Sequence, residues 1–279
     1  MLATLVIFLR EGVEASMIVA ILLAYLDRIG QRRYFRDVLL GVVSALVLAA
    51  AGGAAAYLTI RRYDGSEVQT IFETVTFLVA AGVLTAMTFW MRKHARSISA
   101  ELRARTDAAI STGARRGLFL LAFQAVGREG LETAVFTLAV VFSTSPAGAG
   151  LGALIGLIGA LGLAFALYRL RFSIDLGVFF KVVGVLLMVF AAALLVDATE
   201  NLQQLGWLPS VGGPLWDTGR FLAEGSSLGD VAHSFLGYVQ RPNLLELGVW
   251  LTYLTAAVLA FLAPRRAPGR RHRAEPGPL

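Results

Sequence analysis

Cysteine is absent from the 279 residues, and histidine occurs three times. The first absence rules out disulfides, thiolate zinc sites and iron–sulfur ligation. Charge is scarce too: 16% of residues are charged against 57% hydrophobic, and mean hydropathy is +0.69. Those proportions exclude an ordinary soluble domain and predict an all-α polytopic membrane protein whose first partner is the lipid bilayer. The net charge of +6 is no nucleic-acid signature, because Lys and Arg lie between apolar runs and in the C-terminal tail. No P-loop, dinucleotide fingerprint or nucleophile elbow is visible, so an ATP-driven pump or a hydrolase is not expected. The first apolar run starts at Met1 without a basic flank and with three charges inside it, so it reads as a membrane helix rather than a cleavable signal.

Seven apolar runs are long enough to cross a bilayer, at about 2–26, 38–60, 71–91, 117–142, 148–168, 178–200 and 243–262. The basic residues between them set the topology. Arg28, Arg32, Arg33 and Arg36 follow the first run, and Arg92, Lys93, Arg96, Arg103, Arg105, Arg115 and Arg116 follow the third. Arg169 and Arg171 follow the fifth, and Arg265, Arg266, Arg270, Arg271 and Arg273 lie in the tail. The opposite side has only Arg61, Arg62, Arg220 and Arg241. The positive-inside rule then puts the N-terminus outside and the C-terminus in the cytoplasm, in a multi-pass protein of the cytoplasmic (inner) membrane. The expected permease domain is 1–263. It comprises a first repeat at about 1–91, a second at about 117–200, an outer segment 201–242 and helix 7 at about 243–262. A basic, Pro- and Gly-rich tail, 264–279, is expected to be disordered.

The repeats are defined by one charged pentapeptide that occurs twice. Arg10-Glu11-Gly12-Val13-Glu14 lies in the first run and Arg128-Glu129-Gly130-Leu131-Glu132 in the fourth. The two runs cross in opposite directions, which predicts a 3+3 inverted repeat with a seventh helix added. Transporters of that architecture bind substrate between the repeats near the midplane. Small residues support close packing in the partner runs: Ala49 to Ala56 with Gly52 and Gly53 in the second, and Gly148, Gly152, Gly156, Gly159 and Gly162 in the fifth.

A charge at the bilayer centre costs about 2.5–3.5 kcal/mol on insertion scales. On a helix, Arg10, Glu14 and Glu11 fall within an arc of about 100°, as do Arg128, Glu132 and Glu129. Each set therefore faces a partner helix or polar cavity. Where the two runs meet, Glu11, Glu14, Glu129 and Glu132 offer carboxylate oxygens suited to a hard cation, with no His or Cys in either motif. Arg10 and Arg128 would balance carboxylate repulsion in the empty site. The plainer alternative is that each Arg pairs with its own Glu four residues on and does nothing more.

Glu73 near the start of the third run, with Asp197 and Glu200 at the end of the sixth, are candidates for an outer mouth; ordinary interfacial placement is the alternative. Thr85 and Thr88 are candidates to line a path, although such threonines commonly bond to their own backbone. Lys181 is expected to snorkel to the inner surface. His233 is read as an inert loop residue.

These residues resemble the high-affinity, oxidase-dependent iron permease family of bacterial EfeU type. The likeness is carried by Arg-Glu-x-x-Glu at 10–14 and 128–132, and by Asp197-Ala198-Thr199-Glu200, where the family has Asp-Ala-Ser-Glu. Leu202-Gln203, Gly206-Trp207-Leu208-Pro209, Trp90-Met91, Gly237-Tyr238 and Pro242 are similar as well. The resemblance implies a transporter of ferric iron, with iron as substrate and no permanently bound cofactor. It also implies an extracytoplasmic oxidase or peroxidase that oxidises ferrous iron, together with an iron-binding protein. A homo-oligomer is compatible with it. The residue chemistry alone would equally suit another hard metal cation, or a small zwitterion bridging Arg and Glu. A membrane enzyme with a carboxylate-bridged diiron centre is disfavoured, because no run contains the Glu-x-x-His pair.

Overall fold

A computed structural model describes residues 1–94, 98–169, 176–223 and 226–263. Arg96, Arg171 and the tail from 264 lie outside them. Among the described residues the chain is all-helical. Its helices are α1 (Leu2–Arg28), α2 (Phe35–Ile60), α3 (Glu67–His94), α4 (Ile98–Ser143), α5 (Pro146–Arg169), α6 (Leu176–Gln204), α7 (Ser227–Leu236) and α8 (Leu244–Leu262), with short 3₁₀ turns at Arg32–Tyr34 and Arg61–Tyr63. Five of them, α2, α3, α5, α6 and α8, are long and apolar enough to cross a membrane. The remaining long helices, α1 and α4, are the two that carry the pentapeptides.

The basic segment 92–116, expected as a loop, is largely helical. The first part of α4 runs to Gly113, where φ of +136° breaks the helix. This part is amphipathic: Leu102, Thr106 and Ala109 are buried at three- and four-residue spacing. Leu102 and Ala109 join Leu22 and Leu26 of α1, Val38 of α2 and Leu118 of the second part of α4 in one apolar cluster. Tyr25 Oη donates to Asp107 Oδ1 at 2.6 Å across the same junction. Of the basic residues that marked a loop, Arg103 and Arg105 lie on the exposed, outward face of this surface helix.

Smaller differences occur at helix ends. Helix α3 begins at Glu67, which puts Glu73 in its second turn, and α6 extends to Gln204. The outer segment contains α7, capped by Ser226 and stopped by Gly237 at φ +71°. Within that segment Asp217 accepts from the Gly219 amide and pairs with Arg241, which together hold its carboxyl below the usual range. A capping box starts α8: Asn243 Oδ1 accepts from the Leu245 and Glu246 amides at 3.0 Å, and Glu246 accepts from the Asn243 amide at 3.1 Å. Asn243 Nδ2 also donates to Gln203 at 2.8 Å, tying α8 to the end of α6.

The most extensive helix pairings are α2 with α4, α1 with α5, and α3 with α6; α1 also packs on α4. Exchanging α1 with α4, α2 with α5 and α3 with α6 leaves this pattern unchanged. The register repeats too. A Cβ added to Gly12 would sit 2.6 Å from Ala160 Cβ on α5, and one on Gly130 would sit 2.9 Å from Ala49 Cβ on α2. Each motif glycine thus lets its helix lie against the second helix of the other half. Between them, Ile7, Leu84, Phe136, Leu187, Phe190 and Leu194 form the buried core of α1, α3, α4 and α6.

Gly12→Val is therefore expected to overpack the α1–α5 contact and destabilise the protein by about 1–3 kcal/mol. Gly82→Val is the control, since nothing lies within 4 Å of a Cβ there. Thermal unfolding of the detergent-solubilised variants separates them; equal melting points would show that the contact is loose.

Candidate metal-transport site

The crossing of α1 and α4 brings the two pentapeptides together. Arg10 Nη1 lies 3.0 Å from Glu11 Oε1, and its Nε lies 3.0 Å from Glu14 Oε1. All three side chains are almost fully buried, at 3–4% exposure. On α4, Arg128 Nε bonds Glu132 Oε1 at 2.9 Å, but the arginine is 45% exposed. Its guanidinium lies 4.6 Å from the centroid of the Trp90 ring, and Nη2 is 2.8 Å from Met87 Sδ. Sequence-equivalent arginines thus have different settings, one sealed between carboxylates and the other resting on α3.

Ligand oxygens of Glu11, Glu14 and Glu129 all lie within 4.8 Å of one another. Glu132 is within electrostatic reach of Glu14. Glu11 Oε2, Glu129 Oε2 and Glu132 Oε2 are buried without a hydrogen-bond partner among the described residues. Leaving a buried acceptor unsatisfied costs about 1–3 kcal/mol, more for a charged group. Arg10 Nη2 is also buried without a partner, but four carboxylates against two guanidinium groups leave the site's net demand for positive charge. Oxygen atoms at this spacing suit a hard cation. A cavity of about 1150 Å³ between α1, α2, α4 and α5 reaches Glu11 and Glu129 past Ala15, Ala49, Gly53 and Thr133.

The sequence matches the Iron permease FTR1 family over residues 1–267. The chain belongs to this family. The permease is 33% identical over 269 residues to the ferrous iron permease EfeU of Escherichia coli O6:K15:H31, covering 96% of this chain and 97% of that one. It is likewise 33% identical to the ferrous iron permeases EfeU of Shigella sonnei and Yersinia pestis, covering 97% and 95% of those chains. No solved structure matches it. The permease is thus a transporter and a multi-pass membrane protein.

Away from the crossing, Glu73 is half-buried and accepts from Gln69 Nε2 at 2.7 Å. Asp197 is buried, held by Ser143 Oγ at the end of α4. Glu200 is half-buried and borders a smaller polar cavity of about 560 Å³ with His233, Gln240, Arg241 and Glu246. Thr85 and Thr88 donate to the Ala81 and Leu84 carbonyls at 2.7 Å, the self-bonding expected of threonine in an apolar helix. Lys181 is exposed near the start of α6. His233 is not in a loop. It lies on α7, its Nε2 3.6 Å from Asp197 Oδ1. Sequence reading also missed Met87 and Trp90 as neighbours of Arg128. Their three-residue spacing puts them on one face of α3, but only the packing of α3 against α4 reveals which face.

Proposed function

We propose that the permease carries iron, bound as Fe³⁺ by Glu11, Glu14, Glu129 and Glu132, across the cytoplasmic membrane, with Arg10 and Arg128 balancing charge when the ion has left. The observation that carries this reading is the convergence of carboxylate oxygens from α1 and α4 within 4.8 Å. In this arrangement α1 and α4 complete seven spans. Helices α1–α3 and α4–α6 are two inverted repeats, α8 is added, and the N-terminus lies outside. The exchange symmetry of the helix pairings and the matched glycine contacts support the repeat. Residues 1–263 form the permease domain.

Glu73, Asp197 and Glu200 form the outer mouth, where iron arrives after oxidation by an extracytoplasmic partner. The relatives' name, ferrous iron permease, favours a second reading in which Fe²⁺ itself is moved. Both are tested by radiolabelled iron uptake into proteoliposomes, comparing Fe²⁺ held reduced by ascorbate with chelated Fe³⁺, against Mn²⁺ and Zn²⁺ as competitors. Uptake of Fe³⁺ without a reductant, resistant to both competitors, is expected. Uptake of Fe²⁺ alone would transfer the function to the reduced ion, and equal uptake of Mn²⁺ would remove selectivity for iron.

The mouth has its own test. Asp197→Asn with Glu200→Gln is expected to raise the half-saturating iron concentration more than it lowers the maximal rate, because a concentrating charge acts before the rate-limiting passage. Wild-type uptake at limiting iron and low salt would leave these carboxylates only a structural role.

A further inference from the structure

Two threonines of α4 border the cavity that reaches the crossing. Thr133 and Thr137 follow Glu129 at four-residue intervals, so the three side chains share a face at a rise of about 6 Å per step. All three line the cavity, as does Glu11 of α1. Thr133 Oγ1 donates to the Glu129 carbonyl oxygen at 2.7 Å, and Thr137 Oγ1 donates to the Thr133 carbonyl oxygen at 2.6 Å. A hydroxyl has one proton, and here it is committed backwards along the helix. Each oxygen therefore turns lone pairs alone toward the cavity, which suits a cation and offers an anion nothing. Thr85 and Thr88 make the same backbone bond elsewhere. The Thr85 hydroxyl is also engaged by Tyr253 Oη at 2.5 Å, and Thr88 is buried.

The doubled pentapeptide supplies an internal comparison. Counted from the two motifs, Thr133 and Thr137 correspond to Ala15 and Val19 of α1, which line the same cavity. At these two positions α4 carries an oxygen and α1 does not. Ala15 and Val19 form their share of the wall without a hydroxyl, so wall packing alone does not call for one. On the topology proposed above, α4 runs outward from Glu129 and α1 runs inward from Glu11. The two oxygens therefore lie on the outer half of the cavity, whose far end Tyr57 marks. On the inner half, Ser16 is followed by Asp27, which pairs with Arg32 at the end of α1.

We propose that Thr133 and Thr137 are transient iron ligands, two neutral oxygen steps by which the ion descends from the outer side of the membrane to Glu129 and Glu11. This rests on the carboxylate cluster and the topology given above, and adds a route between the outside and that cluster. A hydroxyl oxygen, like that of water or a carbonyl, is a hard ligand, so the steps suit the same ion as the carboxylates. Being uncharged, they hold it less tightly than the cluster does. Weak sites that lead to a strong one let an ion enter without being trapped on the way.

Two measurements on the full-length permease test this. In the first, Thr133→Val with Thr137→Val keeps the shape of both side chains and removes both oxygens. Radiolabelled iron uptake into proteoliposomes, with ascorbate-held Fe²⁺ and chelated Fe³⁺ each supplied, is expected to slow by about 10-fold per folded protein. Thr133→Ser with Thr137→Ser keeps the oxygens and is expected to transport at close to the wild-type rate. Equilibrium binding of the same iron should be unchanged in the valine variant, because no carboxylate is touched. Wild-type uptake in the valine variant overturns the proposal, and so does an equal loss in the serine and valine variants, which would make the role structural. The second measurement uses the absence of cysteine from the chain. In intact cells, Thr133→Cys and Thr137→Cys are expected to react with a membrane-impermeant cationic thiosulfonate added outside, and Val19→Cys is expected not to. Failure of both threonine positions to react would show a cavity filled by lipid, and equal reaction at Val19→Cys would remove the outer route; either result overturns the proposal. If Glu14→Gln with Glu132→Gln abolishes uptake while the valine variant transports normally, the cluster stands and the threonine route falls. If both variants transport normally, both fall.

Discussion

Iron uptake into proteoliposomes is expected to drop to the protein-free background in the Glu14→Gln, Glu132→Gln double variant, while the amount of protein in the membrane stays normal. Disturbing the support of a metal ligand commonly costs about 10–100-fold in affinity or activity, and here two of the proposed ligands themselves are lost, so the initial rate should fall by at least about 100-fold. Folding should survive for a reason visible in the geometry. Arg10 keeps Glu11 at 3.0 Å, so it is not stranded. Arg128 loses Glu132 but retains the Trp90 ring at 4.6 Å and is 45% exposed. The change also takes two charges out of an expensive environment. Wild-type uptake in this double variant would refute the transport role of the crossing.

Arginine removal is expected to act through folding, and unequally. Arg10→Ala leaves Glu11 and Glu14 buried beside each other without a counter-charge, and breaking a buried pair this way costs about 3–5 kcal/mol. Arg128→Ala should cost clearly less, because its guanidinium is half-exposed and only one of its contacts is a carboxylate. Yield and melting temperature in detergent measure the difference. Adding Glu14→Gln to Arg10→Ala should restore part of the lost stability by removing one stranded charge. Arg10→Lys should do so only in part, since an ammonium cannot reproduce both guanidinium contacts. Equal losses at the two arginines, or no rescue by Glu14→Gln, would mean that the ion pairs are not what holds the crossing together.

Much of this site was legible in the sequence. Glu11, Glu14, Glu129 and Glu132 stood out because charge inside an apolar run has few inexpensive explanations, and two copies in oppositely directed runs pointed to a shared centre. The apolar runs themselves were legible because a bilayer imposes length and composition on each helix separately. What was hidden depended on contacts between elements. Residues 98–113 read as a loop because their arginines masked the spacing of Leu102, Thr106 and Ala109, and only the adjoining ends of α1 and α2 give that face something to cover. His233 read as inert because its partner, Asp197, is remote in sequence and is met only when α7 folds back over α6. The unlike settings of Arg10 and Arg128 were hidden for a similar reason: pentapeptides that differ only at Val13 and Leu131 say nothing about the side chains of α3 on which one of the arginines rests.

The exchange of partners between the halves has a consequence for how the chain is made. In the seven-span arrangement proposed above, α1 leaves the ribosome first, yet the helix it packs against most extensively is α5, which begins only at Pro146. At about 5–20 residues per second the wait is on the order of ten seconds. Until α4 emerges as well, the nascent helix must hold Arg10, Glu11 and Glu14 without the second pentapeptide beside them. The arginine lying between its own two glutamates, before any tertiary partner exists, lets the first helix remain in the bilayer until the second half of the protein arrives.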